Sequence, residues 1–193
     1  GYYVIPYTLQ NYLSDQISVP RFSTDLPEFV EAEKKVQAEI DQLYNIKGDL
    51  SVDTLHKRLY GILWNKVGMA RNLQGLQEAL VELKELRKEF FSRVRIPGEK
   101  EGLNVELDKA IHLRDFIIMG ELMAYDAIER NESCGGHFRE EYQTEEGEAK
   151  RDDEHYMYVS CWKYAGSDDE KPELLKENLD YQYIKVQTRN YKS

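Results

Sequence analysis

Apolar positions recur at three- and four-residue intervals through the first 130 residues, and the pattern changes character after them. Phe29, Ala32, Val36, Ile40 and Leu43 share one side of a helix that opens after Ser23–Asp25. Pro27 falls in its first turn, where a missing N–H is tolerated, and Gly48 closes it. A second helix begins near Ser51, carries Leu55, Leu59, Ile62, Leu63, Trp64 and Val67, and is weakened at Gly68. A third starts at Asn72 and places Leu73, Leu76, Leu80, Leu83, Phe90 and Val94 on one stripe, with Leu86 at its edge. It stops at Pro97–Gly98. Three such helices with short connections predict an antiparallel, spectrin-repeat-like bundle in a mainly α fold.

A fourth long helix, about Val105–Arg130, differs in kind. Leu107, Ile111, Ile118, Leu122 and Tyr125 form one apolar stripe, and Ala110, Leu113, Ile117, Gly120, Ala124 and Ile128 a second. A helix apolar on two faces is covered on both, so one face meets the bundle and the other requires a further neighbour. Gly1–Ile17 is likewise apolar or amphipathic on nearly every side, which implies a packing partner that precedes it. The chain begins at Gly1 without Met, and this reads as processing or as part of something longer. Beyond the fourth helix, His155–Tyr164 and Tyr181–Tyr191 read as two strands joined by the polar loop Ala165–Asp180. A lone hairpin is marginal in water and must pack on something. The expected division is 1–20 as a leading segment, 21–131 as the helical bundle, and 132–193 as a charged segment plus the small C-terminal β-hairpin.

Charge sharpens this division. Residues 1–96 hold 13 acids and 13 bases, whereas 97–193 hold 23 acids and 13 bases, so all of the net −10 lies in the second half. Such a balance excludes a phosphate-neutralising nucleic-acid binder and points to solvated acidic loops. Two cysteines do not make a disulfide framework in 193 residues, which favours reduced thiols in a cytoplasmic setting. No apolar run reaches the length of a bilayer span, and no basic-then-apolar leader is present.

Candidate chemistry concentrates in Asn131–Asp153, which packs a Cys-Gly-Gly turn, a His, two Arg and many carboxylates behind the fourth helix. Cys134 and His137 have the C-x-x-H spacing of zinc ligands, and His155 and Cys161 lie downstream. The second pair is widely spaced and in a strand pattern, so Cys161 reads instead as a small core residue. Cys134 as a nucleophile beside His137 is opposed by its place after a helix C-terminus, where the helix dipole disfavours a thiolate. The Gly135–Gly136 pair suits a chain reversal. Glu140/Glu141 and Asp152/Asp153 are paired carboxylates, but interleaving with Arg139 and Arg151 favours an ion-pair network at an interface over acid–base work. Trp64 and Trp162 read as core anchors. No glycine-rich phosphate loop or dinucleotide fingerprint occurs.

The run Glu132-Ser133-Cys134-Gly135-Gly136-His137-Phe138-Arg139-Glu140-Glu141, followed by Arg151-Asp152-Asp153, resembles a known family. It is similar to the C-terminal region of the flavoprotein subunit of succinate dehydrogenase and fumarate reductase. That family carries Glu-Ser-Arg-Gly-Ala-His-x-Arg-x-Asp and then Arg-Asp-Asp at the end of a long helix. Leu59, Trp64, Val67, Gly68, Arg71, Leu76, Ala79 and Leu80 also resemble the family's spacing, as do the terminal hairpin and the segment Gly1–Ile17. Cys134 stands where many members have Arg, the Trp often seen shortly after the two Asp is absent, and Gln143–Ala149 resembles an insertion. A menaquinone-linked bacterial branch is similar in having Cys-Gly-Gly here.

The resemblance implies an FAD-dependent oxidoreductase that interconverts succinate and fumarate and passes electrons to an iron–sulfur subunit and, through a membrane anchor, to quinone. It implies a peripheral place on the cytoplasmic face of the inner membrane, with this chain itself soluble. The flavin-linking and substrate-holding positions of the family fall outside this chain, so no catalytic, cofactor-binding or metal-ligating residue is carried over. The chain alone is expected to be inactive and without flavin, docking to its own flavin domain and to the iron–sulfur subunit. The residues assigned to that docking are Glu132, His137, Arg139, Glu140, Arg151, Asp152 and Asp153. Two other readings stand beside it. One is the C-terminal domain of a related flavoenzyme such as L-aspartate oxidase; the other is a free-standing helical interaction module.

Overall fold

The computed structural model describes residues 1–187. The chain forms two compact units, Gly1–Gln42 and Leu43–Ser193. The first holds α1 (Val4–Leu13), a single 3-10 turn (Ser14–Gln16) and most of α2 (Pro27–Asn45). None of its large apolar side chains is buried, Tyr2, Tyr3, Phe22 and Phe29 among them.

In the second unit the polypeptide enters at Leu43 and runs through β1 (Leu50–Ser51) into α3 (Val52–Ile62), which continues as one π-helical turn, Leu63–Val67. β2 (Ala70–Arg71), α4 (Leu73–Arg93), β3 (Val94–Arg95) and α5 (Val105–Glu129) follow. Each helix starts where a polar side chain satisfies its first free amides. Ser51 accepts from Thr54 N, Asn72 from Gly75 N, and Asn104 from both Glu106 N and Leu107 N. These three starts and Pro27 agree with the sequence pattern.

The core has two parts that together fix an antiparallel order. Leu55 and Leu59, early in α3, pack with Leu86 and Phe90, late in α4, and with Ala110, Leu113 and Ile117, early in α5. At the other end Val67 packs with Leu76 and Ala79 and with Ala124 and Ala127. Leu43 is the residue of α2 that joins this core. Trp64, read from the sequence as a core anchor, is instead 70% exposed. It lies nine residues after Leu55, and at about 100° per residue that is the opposite side of the helix.

β4 (Phe138–Arg139) pairs in parallel with β2, aligning Ala70 with Phe138 and Arg71 with Arg139. A short helix, α6 (Asp153–Tyr156), leads into β5 (Tyr158–Lys163), which pairs antiparallel with β6 (Glu173–Asn178). The hairpin is present, but its second strand is Glu173–Asn178, inside the stretch expected to be loop. Tyr181–Gln187 holds no strand, and residues 188–191 of the expected strand lie outside the described residues. Cross-strand contacts override a sequence rich in Glu, Lys and Asn: Lys163 pairs with Glu173 at 3.3 Å, and Lys176 sits 4.4 Å from the Tyr158 ring centroid. Cys161 is exposed on β5, which corrects its reading as a core residue.

The hairpin gains its packing from α4 and α5. Buried Arg87 holds Glu121 at 3.0 Å and reaches Asp168 O at 2.8 Å and Asp169 at 3.0 Å. Trp162 donates to Asp126 at 2.9 Å, and Lys171 pairs with Glu129 at 2.7 Å.

Gly120 tests the packing at the π-turn. A Cβ there would lie 3.0 Å from Leu63 Cδ2, whereas one on Gly61 meets nothing within 4 Å. Gly120→Ala is expected to destabilise by about 1–3 kcal/mol through overpacking. Gly61→Ala is expected to stabilise by about 0.5–1 kcal/mol through helix propensity. Urea unfolding of both variants measures the contrast.

Candidate functional site

The last turn of a helix leaves carbonyls without intrahelical donors, and a cation placed there also opposes the negative end of the helix dipole. The segment after α5 returns to supply both. Beyond Arg130 the chain reverses at Cys134–His137, whose backbones exchange hydrogen bonds of 2.8 and 3.1 Å. Gly135 sits at φ +59, the left-handed conformation such a two-residue turn needs at its first position. The reversal brings Phe138–Arg139 alongside β2 and aims two side chains at the helix end.

Arg139 is the larger of these. Its guanidinium is 1% exposed and donates to Ala127 O at 2.8 Å and to Glu141 Oε2 at 3.0 Å. The Tyr142 ring lies 5.4 Å away. Fully buried Ser133 locks the backbone at the same residue, since its hydroxyl accepts from Arg139 N at 2.8 Å and donates to Arg139 O at 3.1 Å.

Glu141 faces two ways. One oxygen takes Arg139, and the other accepts from Leu73 N at 2.5 Å, the first residue of α4. Burial pushes the Glu141 carboxyl up, but the hydrogen bonds from Leu73 and Arg139 outweigh it and hold the carboxyl below its ordinary value. A cation therefore sits on the C-terminus of α5, an anion on the N-terminus of α4, and the two are bonded to each other. Neighbouring Glu140 accepts from the Asn72 amide at 2.7 Å.

His137 supplies the second contact, with Nε2 2.9 Å from Arg130 O. Facing a carbonyl, that nitrogen carries the proton. Half-burial lowers the His137 pKa; the bond to Arg130 O opposes this, and the charges of Arg71, Arg139 and Arg130 lower it further. The ring is thus neutral at pH 7. Arg71 donates to Gly68 O at 2.7 Å and approaches Gly136 O at 3.4 Å, tying the loop after the π-turn to the Cys-Gly-Gly reversal.

The remaining docking candidates lie around this knot. Glu132, buried, accepts from Arg130 at 2.8 Å and from Asp152 N at 2.9 Å. Arg130 continues to Tyr156 O at 2.9 Å, so the helix end is also bound to the start of the hairpin. Arg151 pairs with Asp153 at 3.0 Å on the more exposed side. Asp152 caps α6 through His155 N, and its carboxylate raises the His155 pKa. The structure thus brings Glu132, His137, Arg139 and Glu140 to the junction of the α5 and α4 ends, joins Asp152 to it through its backbone amide, and pairs the Arg151 and Asp153 side chains with each other beyond it. Gln143–Ala149 closes on itself through a Gln143↔Ala149 bridge.

The other chemical candidates are dispersed. Among the described residues no group of three or more His, Cys, Asp or Glu is placed to hold a metal. His155 belongs to α6 rather than to a strand, so it does not share the alternation of Cys161. Glu141, Ser133, Arg130 and Arg71 were not among the docking residues read from the sequence. The available signal for Glu141 is its opposite charge two residues after Arg139; the turn closed by Tyr142 N on Arg139 O at 2.8 Å brings the two side chains together.

Comparison with known proteins places this geometry. The sequence profile of the family described as "Fumarate reductase flavoprotein C-term" matches residues 56–191. The chain belongs to this family. It is 27% identical over 124 residues to the fumarate reductase flavoprotein subunit of Haemophilus influenzae, covering 64% of this chain and 20% of that one. It is 29% identical over 113 residues to an uncharacterized FAD-dependent oxidoreductase of Methanocaldococcus jannaschii, covering 58% and 20%. The quinol fumarate reductase of E. coli shares the fold with a TM-score of 0.67 at 19% identity, over 93% of this chain and 29% of that one. The chain spans about a fifth of the length of these curated relatives.

Two predictions concern the knot. Arg139→Ala is expected to cost about 2–4 kcal/mol in urea unfolding, because it leaves buried acceptors without a donor. Arg139→Lys should recover only part of this, since one ammonium does not reproduce the fork. The pH dependence follows from His137 and Glu141. The unfolded chain protonates its imidazole before the folded one, so stability falls as pH drops below about 6.5. The contribution of Glu141 is present above about pH 4.3 and is lost as pH falls through its lower folded value. His137→Gln keeps a donor near Nε2 without the titration, so its stability curve should lose the decline between pH 7 and 5. A curve that keeps it contradicts the assignment.

Proposed function

We propose that this chain is the C-terminal structural and docking domain of a flavoprotein subunit that interconverts succinate and fumarate. The observation that carries the reading is the family membership over residues 56–191, with the family's signature segment committed to joining helix ends. The whole subunit would bind FAD in a domain preceding this one and pass electrons to an iron–sulfur subunit, with a membrane-anchoring subunit beyond it. Among the described residues no helix is long and apolar enough to cross a membrane, which suits a peripheral subunit held by its partners.

In this reading the chain supplies no group to the chemistry and binds neither flavin nor dicarboxylate. Its role is mechanical. Electron transfer from flavin to cluster depends on a fixed separation, and a rigid domain braced against the flavin domain keeps it. Of the assigned docking residues, Arg139, Glu132 and His137 would set the shape of the joint from within. The more exposed Glu140 and Arg151–Asp153, with Asp152 beside them, would face the partner.

The test compares the full-length subunit with this 193-residue chain. The subunit should purify yellow, with one flavin per chain, and interconvert succinate and fumarate with an artificial electron carrier. This chain should be colourless and inactive. Flavin absorbance in the isolated chain, or a full-length subunit that acts on aspartate and not on succinate, would overturn the reading.

A further inference from the structure

One face of the second unit is apolar and open. The exposed side of α3 and its π-turn presents Tyr60 and Trp64, stacked with ring centroids 5.6 Å apart. Across a groove of about 300 Å³, α5 presents Phe116 and Met123. His56, which also lines it, stacks on Phe116 at 6.3 Å. Met69 and Met119 are also more than half exposed, at 70% and 57%. The nine residues lining the groove include no Asp, Glu, Lys or Arg. A contiguous patch of Trp, Tyr, Phe and Met without charge has the composition of the centre of an interface.

We propose that this groove is the seat of the same polypeptide's preceding part, which the functional reading above makes the flavin domain. Three observations select that occupant. The family is a C-terminal one and the chain spans about a fifth of its relatives' length, so a large folded mass precedes this domain in proteins of this kind. The polypeptide enters this unit at Leu43, which packs in one core with Val52 and Leu55 at the start of α3. Twelve residues at about 1.5 Å each put Trp64 only about 18 Å along that helix. A neighbour on the same polypeptide, joined through Gly1–Gln42, meets the groove at a higher effective concentration than a separate protein does. Two copies of a chain carrying net charge −10 repel each other, which disfavours self-pairing. The groove differs from the Arg139 knot, which closes on its own chain.

Oxidative footprinting of the full-length subunit without its partners, against this chain alone, tests the proposal. Trp64 and Met123 are expected to oxidise about tenfold more slowly in the full-length subunit, as suits residues at the centre of an interface. Trp64→Glu with Met123→Lys in the full-length subunit should split one melting transition into two while flavin content is retained. Equal oxidation rates in the two proteins overturn the proposal. So does protection of the isolated chain that grows with its concentration, which marks a second copy, or protection that arises only on adding the iron–sulfur subunit. Protection in a full-length subunit that holds no flavin supports the groove assignment while defeating the functional reading.

Discussion

The second unit depends on one bonded pair, Arg139 and Glu141, placed between two helix ends. Antiparallel packing sets the C-terminus of α5 beside the N-terminus of α4, leaving unbonded carbonyls at one and unbonded amides at the other. Arg139 answers the first through Ala127 O, Glu141 answers the second through Leu73 N, and their mutual contact at 3.0 Å joins the answers. A buried guanidinium without such partners is costly. The burial of Arg139 at 1% is therefore sustained only while the Cys134–His137 reversal, Ser133 and Glu141 hold together.

That dependence shows what occupies the polar groups of a segment dense in Cys, His, Arg and carboxylates. His137 faces a carbonyl, Arg139 a helix terminus, Glu132 a backbone amide and an arginine. A group fixed by several such bonds is poorly free to exchange protons with a substrate, and it is well suited to hold a joint rigid. Glu132–Glu141 marks a place where two helices, a parallel strand pair and the lead into the terminal hairpin meet.

Much of this architecture was legible in the sequence because helix starts are chemical as well as periodic. Pro27, Ser51 and Asn72 each stand at or just before an observed helix, and the last two cap it with a side-chain oxygen, as Asn104 does ahead of Val105. The hairpin was only half legible. Tyr158–Lys163 has strand composition, but Glu173–Asn178 has a helix former's or a loop's, and it extends only because β5 offers it a ladder. Tyr181–Gln187 has the better strand composition and forms none. At Trp64 residue type and position disagree: a tryptophan suggests a core, yet its phase on the helix points outward. The knot was visible as a charged motif but not as a structure, since its contacts join residues 127, 73 and 139–141, which local pattern does not connect.

The claim that this pair clamps two helix ends is tested most directly by a double-mutant cycle on Arg139→Ala and Glu141→Ala, read by urea unfolding. A clamp predicts strong non-additivity, with a coupling energy of about 1–3 kcal/mol between residues in direct contact. A coupling within about 0.3 kcal/mol of zero would mean the two residues act independently and would contradict the account.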